Sequence, residues 1–212
     1  MERMDVLKDS VISSFAENDL ARVDKYIDSL RESLKSTNAQ FGRFTFLTIL
    51  SVFSYHLYIE DKLREISAFG IILHDHDLLV KWFLVVISSL FMLTASIGYL
   101  RVYQGEAIEW LLAKYRPSEF KSGIYRLTFP ASYILGLDVL RRQNSCSAKA
   151  VAAFPGIALT LFSVLMPILY VYWAYRRAFN TYGLDLQLII SSFISALLIV
   201  HGILIIRESQ KI

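Results

Sequence analysis

Cysteine is almost absent from this chain: Cys146 is the only one among 212 residues. A lone thiol excludes an intrachain disulfide and any multi-cysteine metal site, and we read it as a reduced cytosolic thiol. Charge is scarce as well, at 19% of residues, and it is unevenly placed. Long stretches hold no Asp, Glu, Lys or Arg, and charge-dense segments separate them, as expected when one chain meets two solvents. The net charge is only +3, and no basic cluster is interleaved with aromatics, so nucleic acid is not an expected partner. There is no glycine-rich phosphate loop and no internal repeat. Residues 1–38 carry eight acidic and six basic side chains and no apolar core of signal-peptide length. The first hydrophobic helix is therefore expected to serve as its own insertion signal.

What the chain has in quantity is apolar surface. Apolar residues make up 55%, and the mean hydropathy is +0.44, above the usual range for soluble domains. Four uncharged runs stand out: Phe44 to Ile59, Trp82 to Leu100, Val151 to Tyr175 and Leu186 to Ile206. The first is short for a bilayer that needs about 20 residues. Extending it back to Ala39, with Arg43 snorkelling to the headgroups, supplies the length. Lys and Arg number seven through Arg43, eight in 101–150 and two in the tail, against three in 60–81 and two in 176–185. That 17-to-5 bias predicts both termini on the cytosolic side. Tyr55, Tyr58, Trp82, Tyr170, Tyr172, Trp173 and Tyr175 then gather at the outer interface, where aromatic rings gain from a half-wet position.

The expected architecture is an all-α integral membrane protein with four transmembrane helices and a small cytosolic helical layer. Residues 1–38 form cytosolic amphipathic helices. Residues 39–100 hold the first two spans, with an outer loop at 60–81. Residues 101–150 are a cytosolic helical loop, 151–206 hold the last two spans, and 207–212 are a cytosolic tail. Within the first segment, residues 3–16 suggest a short helix with Val11, Ile12 and Phe15 on one side. The Glu17-Asn18-Asp19 cluster suggests a break and an N-cap. Leu20, Val23, Ile27, Leu30 and Leu34 follow at steps of 3, 4, 3 and 4, an a/d seam over about two heptads. Such a seam joins protomers, docks a partner or packs on the chain's own cytosolic loop. In that loop, Ile108, Leu111, Leu112 and Tyr115 continue the second span as an amphipathic helix, which Pro117 ends. Pro130 suits the first turn of another helix, running to Arg142, with Tyr133, Leu137 and Leu140 on one face.

Candidate chemistry is thin. His74-Asp75-His76-Asp77 is the only dense set of potential metal ligands, but the outer loops offer no third or fourth ligand, so a solvated loop is expected and no metal or cofactor is assigned. His56 sits near the outer end of its span. His201 lies about 8 Å inside the inner boundary at 1.5 Å rise per residue, where an imidazole relays protons or bonds across a helix interface. No span places a carboxylate or lysine at depth, which argues against an intramembrane hydrolase dyad or a proton-coupled antiporter. No catalytic residue is assigned, and an enzyme is not expected. The remaining polarity is hydroxyls: Thr45, Thr48, Ser51 and Ser54 at three-residue steps, and Ser191, Ser192 and Ser195 with Ala196. They either pack helices within one bundle or line a path between protomers. Pro167, mid-span, lacks an N–H and is expected to kink its helix, a candidate hinge.

The layout of four spans with a cytosolic helical layer resembles small bacterial membrane components of signalling or anti-phage systems, a similarity that assigns no residue roles. The expected function is a homo-oligomer in a bacterial inner membrane that forms or perturbs a pore under control of its cytosolic helices. Thr48, Ser51, Ser191, Ser195 and His201 are its candidate lining or packing residues. The alternative is a non-conducting membrane anchor or scaffold that recruits a cytosolic protein. Expected partners are the lipid bilayer, further copies of the chain and a cytosolic protein.

Overall fold

A computed structural model describes residues 20–60, 66–68, 71–73, 76–122 and 161–209. These are mostly helical, with one short antiparallel strand pair. The elements run α1 (Leu20–Ile59), β1 (Ile66–Ala68), β2 (Ile71–Leu73), α2 (His76–Tyr115), α3 (Pro117–Ser122), a π-helical turn (Leu161–Leu165), α4 (Met166–Tyr182) and α5 (Leu186–Ser209). The strands pair antiparallel, with Ile66 opposite Leu73 and Ala68 opposite Ile71, inside the segment expected to be plain loop.

Three features bear on the expected layout. The helix runs unbroken through 38/39: α1 is one helix of 40 residues. The change from charged to apolar composition there alters what surrounds the helix, not its backbone, because no proline interrupts it and Gly42 alone costs only about 1 kcal/mol. The helix that holds the second apolar run begins at His76, six residues before Trp82, because Lys81 is accommodated inside it by a partner described below. Pro167 stands in the first turn of α4, directly after the π-helical turn. The backbone continues helically through Leu165, at φ −74° and ψ −41°. The wide turn takes up the missing donor, since a π-bulge relaxes the usual i→i−4 ladder. At the other end of α2, helix stops at Tyr115 because Arg116 precedes Pro117, which disfavours helical φ/ψ in the residue before it.

Two helices among the described residues are long and apolar enough to cross a membrane, Leu78–Tyr115 and Leu186–Glu208, and they hold the second and fourth expected spans. The apolar half of α1 falls short of that mark, since Thr45, Thr48, Ser51, Ser54 and His56 dilute it. Residues 151–160, the start of the third expected span, lie outside the described residues, as do 1–19, Pro130 to Arg142 and Cys146.

The chain divides into two compact units, one comprising Met1–Phe41, Ile97–Gly156 and Ile206–Ile212, the other Gly42–Ser96 and Ile157–Ile205. In the first, the charged half of α1 packs on the C-terminal half of α2. Val23, Ile27 and Leu34 meet Ile108, Leu111 and Leu112, flanked by Leu30, Tyr115 and Phe120. Burying each such side chain is worth roughly 1.5–3 kcal/mol. Polar ties fix the register. Arg116 donates to both carboxylate oxygens of Asp24, at 3.4 and 2.5 Å, and Gln104 donates to the Ser33 hydroxyl at 2.8 Å. Arg101 stacks over the Phe41 ring, 4.8 Å from its centroid.

In the second unit, the apolar half of α1, the first part of α2, α4 and most of α5 share one core. It is built from Val52, Tyr55, Tyr58, Phe83, Leu84, Ile87, Val171, Ala174, Tyr175 and Leu188 among others. Tyr55 stacks on Phe83 with centroids 5.7 Å apart, and its hydroxyl donates to the Val80 carbonyl at 2.8 Å. Gly202 allows α5 to approach α2 closely: a Cβ there would lie 2.7 Å from the Phe91 ring.

Candidate functional site

The second unit contains the polar groups that sequence spacing singles out, and it turns most of them inward. Thr48 is buried, donates to the Phe44 carbonyl at 2.8 Å and lies 3.4 Å from the Thr94 hydroxyl. Ser191 and Ser195 are 0% and 1% exposed. Ser195 bonds the Tyr175 hydroxyl at 2.9 Å, and Ser191 donates to the Leu188 carbonyl at 3.1 Å. Ser88 is buried and donates to the Leu84 carbonyl. Ser51 is half-buried. Of the candidate lining residues only His201 is exposed. Helical hydroxyls satisfied this way let backbones approach and carry their hydrogen bonds with them. Thr94, Ser88 and Tyr175 complete this set and escape a search by spacing, because they come from other helices and do not repeat along their own.

One end of the unit carries two ion pairs. Arg177 donates to Glu60 at 2.6 Å. Lys81, whose side chain is buried, donates to Asp185 at 2.9 Å and lies 5.4 Å from the centroid of the Tyr182 ring. Asp185 follows the α4–α5 turn, where Gly183 takes φ +69°, the left-handed conformation that glycine adopts without steric cost. Its other oxygen accepts the backbone N–H groups of Gln187 and Leu188 at 2.7 and 3.2 Å, an N-cap that satisfies donors the helix cannot. The Lys81 ammonium and these N–H groups hold the Asp185 carboxyl below the usual carboxylate range. A cavity of about 130 Å³ sits beside Tyr55, Ile59, Val80, Arg177 and Thr181. His56 joins Tyr170 and Trp173 in an aromatic cluster with centroids 5.5–6.0 Å apart. His56 Nδ1 and the Tyr170 hydroxyl are buried there without a hydrogen-bond partner.

The first unit occupies the heptad seam. Val23, Ile27 and Leu34 are buried and Leu30 half-buried against α2, and only Leu20, at 44% exposure, remains open. The face expected to join protomers or dock a partner is therefore in use within the chain. Outside this seam, Arg116 beside Asp24 is held above the ordinary guanidinium range by that carboxylate.

No His/Cys/Asp/Glu group able to hold a metal occurs among the described residues. His74 and Asp75 lie outside them, and His76 opens α2. No family model, curated protein or solved structure matches this chain.

Proposed function

We propose that the chain is a four-span integral membrane protein of a bacterial inner membrane, with both termini cytosolic, and that it serves as a non-conducting anchor that recruits a cytosolic protein. The membrane part of this reading is supported by α5: only 17% of its most apolar window is buried within the protein. Leu186, Phe193, Leu197, Val200 and Leu204 are all exposed. A soluble core helix buries such side chains, and a patch of this size in water marks an interaction surface. The 40-residue helices α1 and α2 are about 60 Å long at 1.5 Å per residue. That is twice the roughly 30 Å hydrocarbon thickness, leaving the paired segments around Val23–Leu34 and Ile108–Leu112 for the cytosol.

The observation that favours an anchor over a pore is the inward, bonded state of Thr48, Ser191 and Ser195. A path between protomers needs a wet lining on the protomer's outside, and these hydroxyls are buried inside one protomer. Three measurements test the proposal. A membrane-impermeant thiol reagent applied to intact cells should leave Cys146 unlabelled, and rapid labelling from outside would overturn the topology. Purified protein in liposomes should pass no ions, while deletion of residues 1–38 should abolish recruitment; ion flux sensitive to Ser195→Leu would restore the pore.

A further inference from the structure

His201 is the one exposed histidine on α5, and it stands in a run of apolar side chains. Ile190, Ile194, Leu197, His201 and Leu204 fall at steps of 4, 3, 4 and 3, a single stripe along the helix. Ile190, Leu197 and Leu204 are 44%, 54% and 49% exposed, and Ile194 is half-buried. On the membrane reading above, on which this inference rests, the stripe lies in hydrocarbon. His201 then sits about 9 Å along the helix from Arg207, below the headgroups. An imidazole facing acyl chains has nothing to bond, and polar side chains inside membranes face protein or water rather than lipid.

We propose that this stripe is a homodimer interface in which α5 of one protomer packs against α5 of a second copy, with the two His201 side chains hydrogen-bonded across the two-fold axis. The chemistry favours a second copy over a different partner. A neutral imidazole carries one donor and one acceptor, so it is complementary to itself, as lysine or glutamate is not. A two-fold interface is also isologous, so a residue near the axis meets its own twin. The 4-3-4-3 spacing suits a left-handed parallel pair, and a single polar residue within such a seam fixes register and partner number. The stripe is distinct from the Leu20–Leu34 seam, which the chain fills by itself.

The test uses the full chain in native membranes with Cys146→Ser, so that one introduced thiol is the only one present. Under mild oxidation His201→Cys should give a disulfide-linked dimer. Ile199→Cys, at a half-buried position against the core, should stay monomeric. In lipid, His201→Leu should weaken dimerisation about threefold to thirtyfold, the range of one interhelical hydrogen bond, and His201→Gln, which also donates and accepts, should restore it. Retention in membranes after alkaline carbonate, with no crosslink at position 201, overturns the dimer while sparing the membrane reading. Equal crosslinking at 199 and 201 overturns it too, as random collision. Release by carbonate overturns both.

Discussion

Replacing Ser195 with leucine separates packing from lining most directly. Ser195 is 1% exposed and faces the Tyr175 hydroxyl at 2.9 Å. Leucine adds three carbons in place of one oxygen, two heavy atoms net, to a filled site, and such overpacking costs about 1–3 kcal/mol. It also deprives the buried Tyr175 hydroxyl of one partner, adding about 1–3 kcal/mol if no other group replaces it. Together these predict a loss of roughly 2–6 kcal/mol. Ser195→Ala removes only the hydrogen bond, and a double-mutant cycle with Tyr175→Phe should give a coupling of about 0.6–1.7 kcal/mol, the range for interhelical bonds in a membrane protein. Unfolding in bicelles by titrated SDS, followed by tryptophan fluorescence, measures each. A lining serine would tolerate leucine and lose only flux. Ser195→Leu unfolding within about 0.5 kcal/mol of the parent, the usual spread for harmless surface changes, would refute the packing argument.

The Asp185 carboxyl sits below its ordinary value when folded. The stability it contributes is therefore present above the unfolded value and lost as pH falls through the folded one. Melting temperature should drop on acidification below about pH 4, and Asp185→Asn should flatten that part of the profile while lowering stability at pH 7. Gly202→Ala places a methyl 2.7 Å from the Phe91 ring and should destabilise by about 1–3 kcal/mol; Gly42→Ala, with open space around it, should be neutral or stabilising by up to about 1 kcal/mol, as thermal melts in detergent would show. Ile27→Ala should cost about 2–5 kcal/mol and open the α1–α2 pair to limited proteolysis, whereas exposed Leu20→Ala should change stability by less than about 0.5 kcal/mol.

Helix type and the apolar runs were legible in the sequence because both depend on local spacing. The seam from Leu20 to Leu34 was legible as a pattern, but its partner was not. The spacing that meets a second copy is the spacing that meets Ile108, Leu111 and Leu112, and only the fold chooses between them. The same holds for hydroxyls: Ser191 and Ser195 at i, i+4 share a face whether it turns to water or to Tyr175. Asp24–Arg116 and Lys81–Asp185 are separated by 92 and 104 residues, beyond any local signal. Lys81 interrupts the charge-free run in the sequence, which places the expected start of that span after it. In the fold its ammonium reaches Asp185, and the helix extends back to His76.

The close approach at Gly202 bears on how α5 is able to move. One residue along a helix turns its side chain through about 100°. Rotation of α5 about its own axis would therefore bring the sec-butyl or imidazole group of a neighbour, Ile203 or His201, into the space where even a single methyl meets the Phe91 ring at 2.7 Å. The missing side chain works as a key: α5 fits α2 in one angular setting. A twist of this helix therefore requires the Phe91 ring to swing aside or the two helices to part.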